Sequence, residues 1–241
     1  MLILALDTAT AVSSVAVATE TTVLAEVTQE AKLTHSETLV PHIGQVLKMA
    51  GAERADLDGI AVSIGPGSFT GLRIGLATAK AMAYALRIPI AGIPTLEGLA
   101  LHFPQPGISV AACLDAQKGN AYVAVYGWED GSLREKEAVQ ILPMHEIIAR
   151  CGAWEGPIVL NGDIIKKRRA KLGELPPNVR IAPPQLLMPR AANIAMLGLP
   201  MLASGNAGNA MGMEPLYIRR SEAEVLWEKR HPQGNESKET Q

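Results

Sequence analysis

The sequence predicts an α/β protein in which one β-β-β-α-β-α unit is used twice. Three observations carry this. The order of strands and helices read from residues 1–100 returns from about residue 108. Leu6-Asp7 precedes Val15-Ala16-Val17 as Leu114-Asp115 precedes Val123-Ala124-Val125, with the same 8-residue step from aspartate to valine. Both fourth strands end in glycine, as Val62-Ser63-Ile64-Gly65 and Val159-Leu160-Asn161-Gly162.

In the first copy, residues 1–6 form an apolar strand that runs into Asp7-Thr8-Ala9-Thr10, and the β-branched runs 13–19 and 22–28 complete a meander. Thr34 or Ser36 caps a helix reaching about Met49, with Leu39, Val40, Ile43, Val46 and Leu47 at helical spacing. An apolar strand at 59–64 ends in the turn Gly65-Pro66-Gly67. The turn feeds a long helix, about 70–86, with small residues at Gly71, Gly75, Ala79 and Ala83. Gly65 and Gly67 let the backbone turn sharply, and Ser68 or Thr70 can cap the first N–H groups. Such a unit serves either as a phosphate cradle or as a tight corner. A short strand then leads to a helix opening at Pro94-Thr95.

The second copy has strands at 108–114, 121–127 and 133–141, a helix at 143–151, a strand at 157–160 and a basic helix at 163–172. Two prolines and a glycine in Phe103-Pro104-Gln105-Pro106-Gly107 mark the boundary. The expected division is a first subdomain over 1–104 carrying partner-binding helices, a second over 105–204, and a carboxy-terminal segment over 205–241. A Pro-rich link leads to a helix at about 191–202. A Gly/Asn-rich loop, 205–212, then precedes Pro215-Leu216-Tyr217-Ile218-Arg219, and residues beyond about His231 are polar enough to predict a disordered tail.

With 241 residues, 48% of them apolar and 19% charged, the chain can bury a large core. No apolar run approaches the roughly 20 residues of a membrane span. The start, MLILALDTA, holds an aspartate and lacks a basic flank, so it reads as a buried strand and not a signal peptide. A net charge of −2 is low for a chain that holds nucleic acid alone, so any RNA contact is expected to be shared with a partner. Cys113 and Cys151 match no disulfide or metal-ligand spacing, which fits a reduced, cytoplasmic compartment.

Two strand–Asp–turn–strand hairpins facing across a cleft can clamp a nucleotide. Turn N–H groups meet phosphates, and each aspartate orients a metal-bound water or acts as a base. The candidate residues on that reading are Asp7, Thr8, Asp115 and Lys118. The pattern spans the whole chain and resembles the actin-like ATPase superfamily of sugar kinases, Hsp70 and actin. The resemblance implies a duplicated actin-like fold with mixed sheets. Kinase-like members follow the first aspartate with Gly-Thr, whereas this chain has Thr8-Ala9-Thr10, and its second turn is Ala116-Gln117-Lys118-Gly119-Asn120. Bulkier turn residues keep a phosphate off the backbone.

The run GPGSFTGLRIGLATAKAMAYAL followed by IPIAGIPTLEG closely resembles the TsaB (YeaZ) family. DTAT near the start, Thr34-His35-Ser36-Glu37 and Pro215-Leu216-Tyr217-Ile218-Arg219 fit it too. The resemblance implies a part in forming N6-threonylcarbamoyladenosine (t6A) at position 37 of tRNAs that decode ANN codons. The implied direct partner is TsaD, the paralogous catalytic subunit. TsaE, a small P-loop ATPase, completes the complex, TsaC makes the adenylate, and tRNA is met only through the complex.

TsaD paralogues hold a metal with a His-x-x-x-His pair, since residues four apart share a helix face. The corresponding positions here are Thr95 and Leu99, and neither offers an imidazole. His35 and His42 lie about 10 Å apart along their helix, and His102, His145 and His231 are scattered. The expectation is no metal, no cofactor and no catalytic residue of its own, with ATP or ADP entering at the level of the complex.

The family's partner contact falls on the first two helices, about 36–49 and 70–86. That nominates Leu39, Ile43, Leu47, Gly71, Leu72, Gly75, Leu76, Ala79 and Ala83, on a face that also suits a homodimer when TsaD is missing. Interior helix glycines cost about 1 kcal/mol each relative to Ala, and a helix that keeps them usually admits another backbone. Lys166-Lys167-Arg168-Arg169 and Lys171 either assist tRNA docking or form a solvated face. The leading expectation is therefore a non-catalytic subunit supporting TsaD. The alternatives are a phosphotransferase or ATPase using Asp7 and Asp115, and a glycoprotease-like metallopeptidase, against which the missing histidine pair argues.

Overall fold

The computed structural model of the protein describes residues 1–30, 34–205, 207–208 and 210–218. The first unit runs β1 (Ile3–Asp7), β2 (Val12–Ala18), β3 (Val23–Glu30), α1 (His35–Ala50), β4 (Gly59–Gly65), α2 (Phe69–Leu86), β5 (Ile90–Pro94) and α3 (Thr95–Ala100). The second runs β6 (Ser109–Asp115), β7 (Asn120–Glu129), β8 (Ser132–Pro143), α4 (Met144–Gly152), β9 (Ile158–Asn161), α5 (Asp163–Arg168), β10 (Val179–Ile181) and α6 (Ala191–Ala203). The sheets have matching orders, β3-β2-β1-β4-β5 and β10-β9-β6-β7-β8. In each, an antiparallel meander is extended by two parallel strands. This is the duplicated actin-like fold.

Local chemistry sets the helix ends. The Glu37 carboxylate accepts the Thr34 N–H at 3.0 Å, so Thr34 opens α1, and Gly51 closes it at φ 66°. Ser68 caps α2 by accepting the Gly71 N–H at 3.3 Å. The basic helix is shorter than the sequence suggests, because α5 stops at Arg168 and a 3₁₀ turn covers Arg169–Lys171.

Each sheet is covered on both faces. Leu4, Leu6, Val15 and Val17 pack outward beneath α1 and α2, as Ala111, Cys113, Val123 and Val125 do beneath α4 and α5. The inner faces are covered by exchange. Helix α6 of the second unit packs Ile194, Ala195 and Leu199 on Ile3, Ala5 and Ala16 of the first sheet. Helix α3 of the first unit packs Leu96 and Leu99 on Val110, Ala112 and Leu114 of the second. The stretch 105–204 therefore does not pack as one body, since its last helix lies on the first sheet. The Asn193 side-chain amide donates to Gly98 O at 2.8 Å, Arg190 pairs with Glu26, and the Ala191 N–H donates to the Ser14 hydroxyl at 2.8 Å.

The residue-level repeat is offset from the pattern in the sequence. Val15 pairs with Leu6 in the first hairpin, but Val123 pairs with Cys113 in the second. Leu6 thus corresponds to Cys113, and the position of Asp7 is filled by Leu114. A one-residue slip turns a strand's side chains to the opposite face, so Asp7 and Asp115 leave their strands on different faces.

After α6 the chain bridges Ile90 through Gly208. It then passes beside α2, where Lys80 Nζ donates to the carbonyls of Met211 and Met213 at 3.1 and 2.9 Å. Arg219, His231 and the predicted tail lie outside the described residues. Among the described residues no helix is long and apolar enough to cross a membrane.

Candidate functional site

A cleft of about 470 Å³ separates the two lobes. Its walls are the first hairpin turn (9–11), the turn at 66–70, the second hairpin turn (114–117), Asp163 and Lys167 of α5, and residues 216–218. Of the four nucleotide-clamp candidates, Asp115 alone faces it. Its Oδ1 accepts the Gln117 N–H at 2.9 Å, and its Oδ2 lies 3.1 Å from Lys167 Nζ. Lys167 also meets Asp163 at 2.7 Å. Burial acts to lower the Lys167 pKa, but these two carboxylates prevail and raise it. Two carboxylates against one ammonium give a wall unsuited to phosphate.

The other three candidates are placed elsewhere. Asp7 is 1% exposed and sits beneath the cleft wall. Its Oδ1 accepts the Ala9 N–H at 2.9 Å and so shapes the turn. Burial lifts its pKa from 3.8 to about 6, against the lowering effects of that N–H and of the Ser63 hydroxyl beside it. Ser63 is itself buried with no hydrogen bond of ordinary geometry. Thr8 is buried and donates its hydroxyl to Gly71 O at 2.8 Å. Lys118 sits on the second turn at φ 51° but does not line the cleft.

The glycine turn is a corner and not a cradle. The Ser68 N–H donates to Ala9 O at 2.7 Å, the Gly71 N–H to Ser68 Oγ, and the Gly65 N–H to Thr95 Oγ1 at 3.2 Å. A side chain at Gly67 would overlap the Ala9 carbonyl. Three N–H donors of the kind a phosphate would use, those of Gly65, Ser68 and Gly71, are thus engaged within the chain.

His35, Phe69 and Tyr217, which the sequence offers only as parts of its motifs, complete the cleft. His35 Nε2 lies 2.7 Å from Thr10 O. The Phe69 and Tyr217 rings lie 5.0 Å apart, with the Arg73 guanidinium 3.8 Å from the Phe69 centroid. The chain has 2 phenylalanines, and one of them standing within the Gly-rich turn was the available signal.

The metal position of the paralogues does not fit a metal here. Thr95 is fully buried with its hydroxyl engaged by the Gly65 N–H, and Leu99 has no donor atom and packs in the core of the second lobe. Among the described residues no group of three or more His, Cys, Asp and Glu is placed to hold an ion.

The nominated partner residues need correction as contact groups. Leu39, Ile43, Leu47, Gly71, Leu72, Gly75, Leu76, Ala79 and Ala83 are all buried within this chain. Gly71 and Gly75 are small because a side chain at either would overlap Thr8. The exposed side of the same helix pair carries Val40 (63% exposed), Met49 and Tyr84 (72%). A side chain at Gly44 would meet nothing within 4 Å. In the basic run, Lys166 pairs with Glu30 and Lys167 with Asp115 and Asp163, which removes part of its charge.

These features define a two-lobed actin-like protein whose first clamp aspartate is buried and whose glycine turn packs against the first hairpin. The model of the family described as TsaD, tRNA N6-adenosine threonylcarbamoyltransferase, matches residues 22–227. The tRNA threonylcarbamoyladenosine biosynthesis protein TsaB of Bacillus subtilis is 29% identical over 228 residues, covering 94% of this chain and 98% of that protein. Its Escherichia coli namesake is 29% identical over 239 residues, covering 95% and 98%. The solved structure of YeaZ from Pseudomonas aeruginosa matches with a TM-score of 0.76 at 27% identity, covering 90% of this chain and 99% of that one. The chain belongs to the tRNA N6-adenosine threonylcarbamoyltransferase family and, within it, to the TsaB (YeaZ) group.

Proposed function

We propose that this chain is the non-catalytic subunit that binds TsaD and supports t6A formation at position 37 of ANN-decoding tRNAs. The observation that carries the reading is the state of the paralogues' metal position. Thr95 serves as an internal hydrogen-bond acceptor and Leu99 as core, so the chain lacks the ligands for that chemistry while keeping the fold around them. We assign the nucleotide requirement to its partners, because several turn N–H groups of the cleft are engaged internally, those of Ser68, Gly71, Ala116 and Gln117 among them, and the cleft presents two carboxylates.

The surface for TsaD is the exposed side of α1 and α2. Gly44 supports this choice. A glycine inside an exposed helix costs about 1 kcal/mol relative to Ala, and nothing in this chain requires its small size. Val40 and Tyr84 supply apolar area on the same helix pair. In the absence of TsaD the same side pairs two copies of the chain, and TsaE and tRNA join through the assembled complex.

Calorimetric titration of TsaD into this chain tests the surface. Gly44→Gln and Tyr84→Glu are expected to weaken binding at least tenfold, about 1.4 kcal/mol, with the fold retained. Wild-type affinity in both variants would reject this surface.

A further inference from the structure

The last described residues pass from one lobe to the other. The Leu216 N–H donates to Ile64 O at 2.7 Å, which pins the segment to the end of β4. Tyr217 lies against Phe69 of α2, and its hydroxyl accepts the Arg73 Nε–H at 3.0 Å. The next residue, Ile218, packs on the inner core of the second lobe, formed by Leu96, Leu99, Leu114 and Tyr122 among others. Upstream, Lys80 holds two carbonyls of the segment and Met213 packs against the outer core of the first lobe.

We propose that residues 211–218 are an intramolecular staple that sets the closure of the interlobe cleft. A ligand bound between two lobes holds them at one opening because it contacts both. Here the contacts to both lobes come from the chain itself, with Leu216 and Tyr217 on the first lobe and Ile218 on the second. The cleft is otherwise poorly equipped for a bridging phosphate, since the Ser68 and Gly71 N–H groups are engaged within the chain and Asp115 and Asp163 share one lysine. Helices α3 and α6 already join the lobes through the inner sheet faces, and the staple adds a join at the cleft. Tyr217 is 41% exposed, so the aromatic lock can open without unfolding either core.

Hydrogen exchange on the full chain tests this, using wild type, Tyr217→Ala and Arg73→Ala. The decisive amides are those of Asp115, Ala116 and Gln117. All three are hydrogen-bonded within the second lobe and none bonds to the staple. Their protection is expected to fall roughly tenfold in both variants, while amides of β1 and of residues 109–114 of β6 stay protected. Loss confined to residues 64–70, or no loss, would overturn the proposal. If Tyr217→Ala unfolds the core, Tyr217→Phe keeps the ring and removes the acceptor for Arg73, and it should give a smaller loss at the same amides. No loss there would also overturn it. As a second readout, spin labels at Gln45→Cys and His145→Cys should report a broader interlobe distance in Tyr217→Ala, the native Cys113 and Cys151 being buried. An unchanged distribution would count against the staple.

Discussion

The Thr95 hydroxyl accepts the Gly65 N–H at 3.2 Å, and both groups are buried where the end of β4 meets the start of α3. A buried N–H left without an acceptor costs about 1–3 kcal/mol. Thr95→His, which restores one residue of the paralogues' pair, should therefore destabilise the chain by that amount in urea unfolding. It should also gain no divalent metal by elemental analysis, because Leu99 still has no donor. A stable Thr95→His protein carrying a stoichiometric metal would contradict this account of the site.

Glycines in α1 and α2 should respond in opposite directions. At Gly75 a methyl group would overlap the Thr8 hydroxyl. The strain of overpacking outweighs the gain in helix propensity, and Gly75→Ala should lose about 1–2 kcal/mol. At Gly44 there is open space, and Gly44→Ala should gain about 0.5–1 kcal/mol. Denaturant midpoints moving in the same direction for both would refute the distinction between an internal and an external glycine.

Leu39 and Leu76 are core residues, with 1% and 4% of their surface exposed. Truncating either to Ala should cost about 2–5 kcal/mol, whereas Val40→Ala should stay within about 0.5 kcal/mol. Loss of partner binding in a Leu76 variant would then report unfolding and not a lost contact. Thermal melts of the free chain separate the two cases.

Asp7 ties stability to pH. Its native pKa of about 6 lies above the ordinary 3.8, so between these values the unfolded chain gives up the proton that the native chain keeps. Stability from this group is present in acid and is lost as pH rises through that window, by up to about 3 kcal/mol. Asp7→Asn keeps an acceptor for the Ala9 N–H and removes the titration. Its stability relative to wild type should increase from pH 4 to pH 7, as read by urea unfolding at each pH. A constant difference would place the Asp7 carboxylate in water.

The duplicated order of elements was legible in the sequence because hydrophobic period and glycine or proline punctuation are local signals. The residue match between Asp7 and Asp115 was not sound. Strand register depends on the length of each hairpin turn, and these differ by one residue, since Asp7 pairs with Ser14 and Asp115 with Ala121. The stripe Gly71, Gly75, Ala79 and Ala83 announced close packing but not with what, and the occupant proved to be Thr8 for the two glycines. The staple was invisible, since the hydrogen bond from Arg73 to Tyr217 spans 144 residues. Thr95 and Leu99 could be read as lacking a metal pair, but the Thr95–Gly65 bond that occupies the place required coordinates.

On the proposed function, this chain supports TsaD without performing the transfer. The direct test combines purified TsaC, TsaD and TsaE with unmodified ANN-decoding tRNA and measures t6A with and without this chain. We expect t6A only when the chain is present, and none when the chain and TsaC act without TsaD. Equal t6A formation in its absence, or transfer by the chain without TsaD, would contradict it.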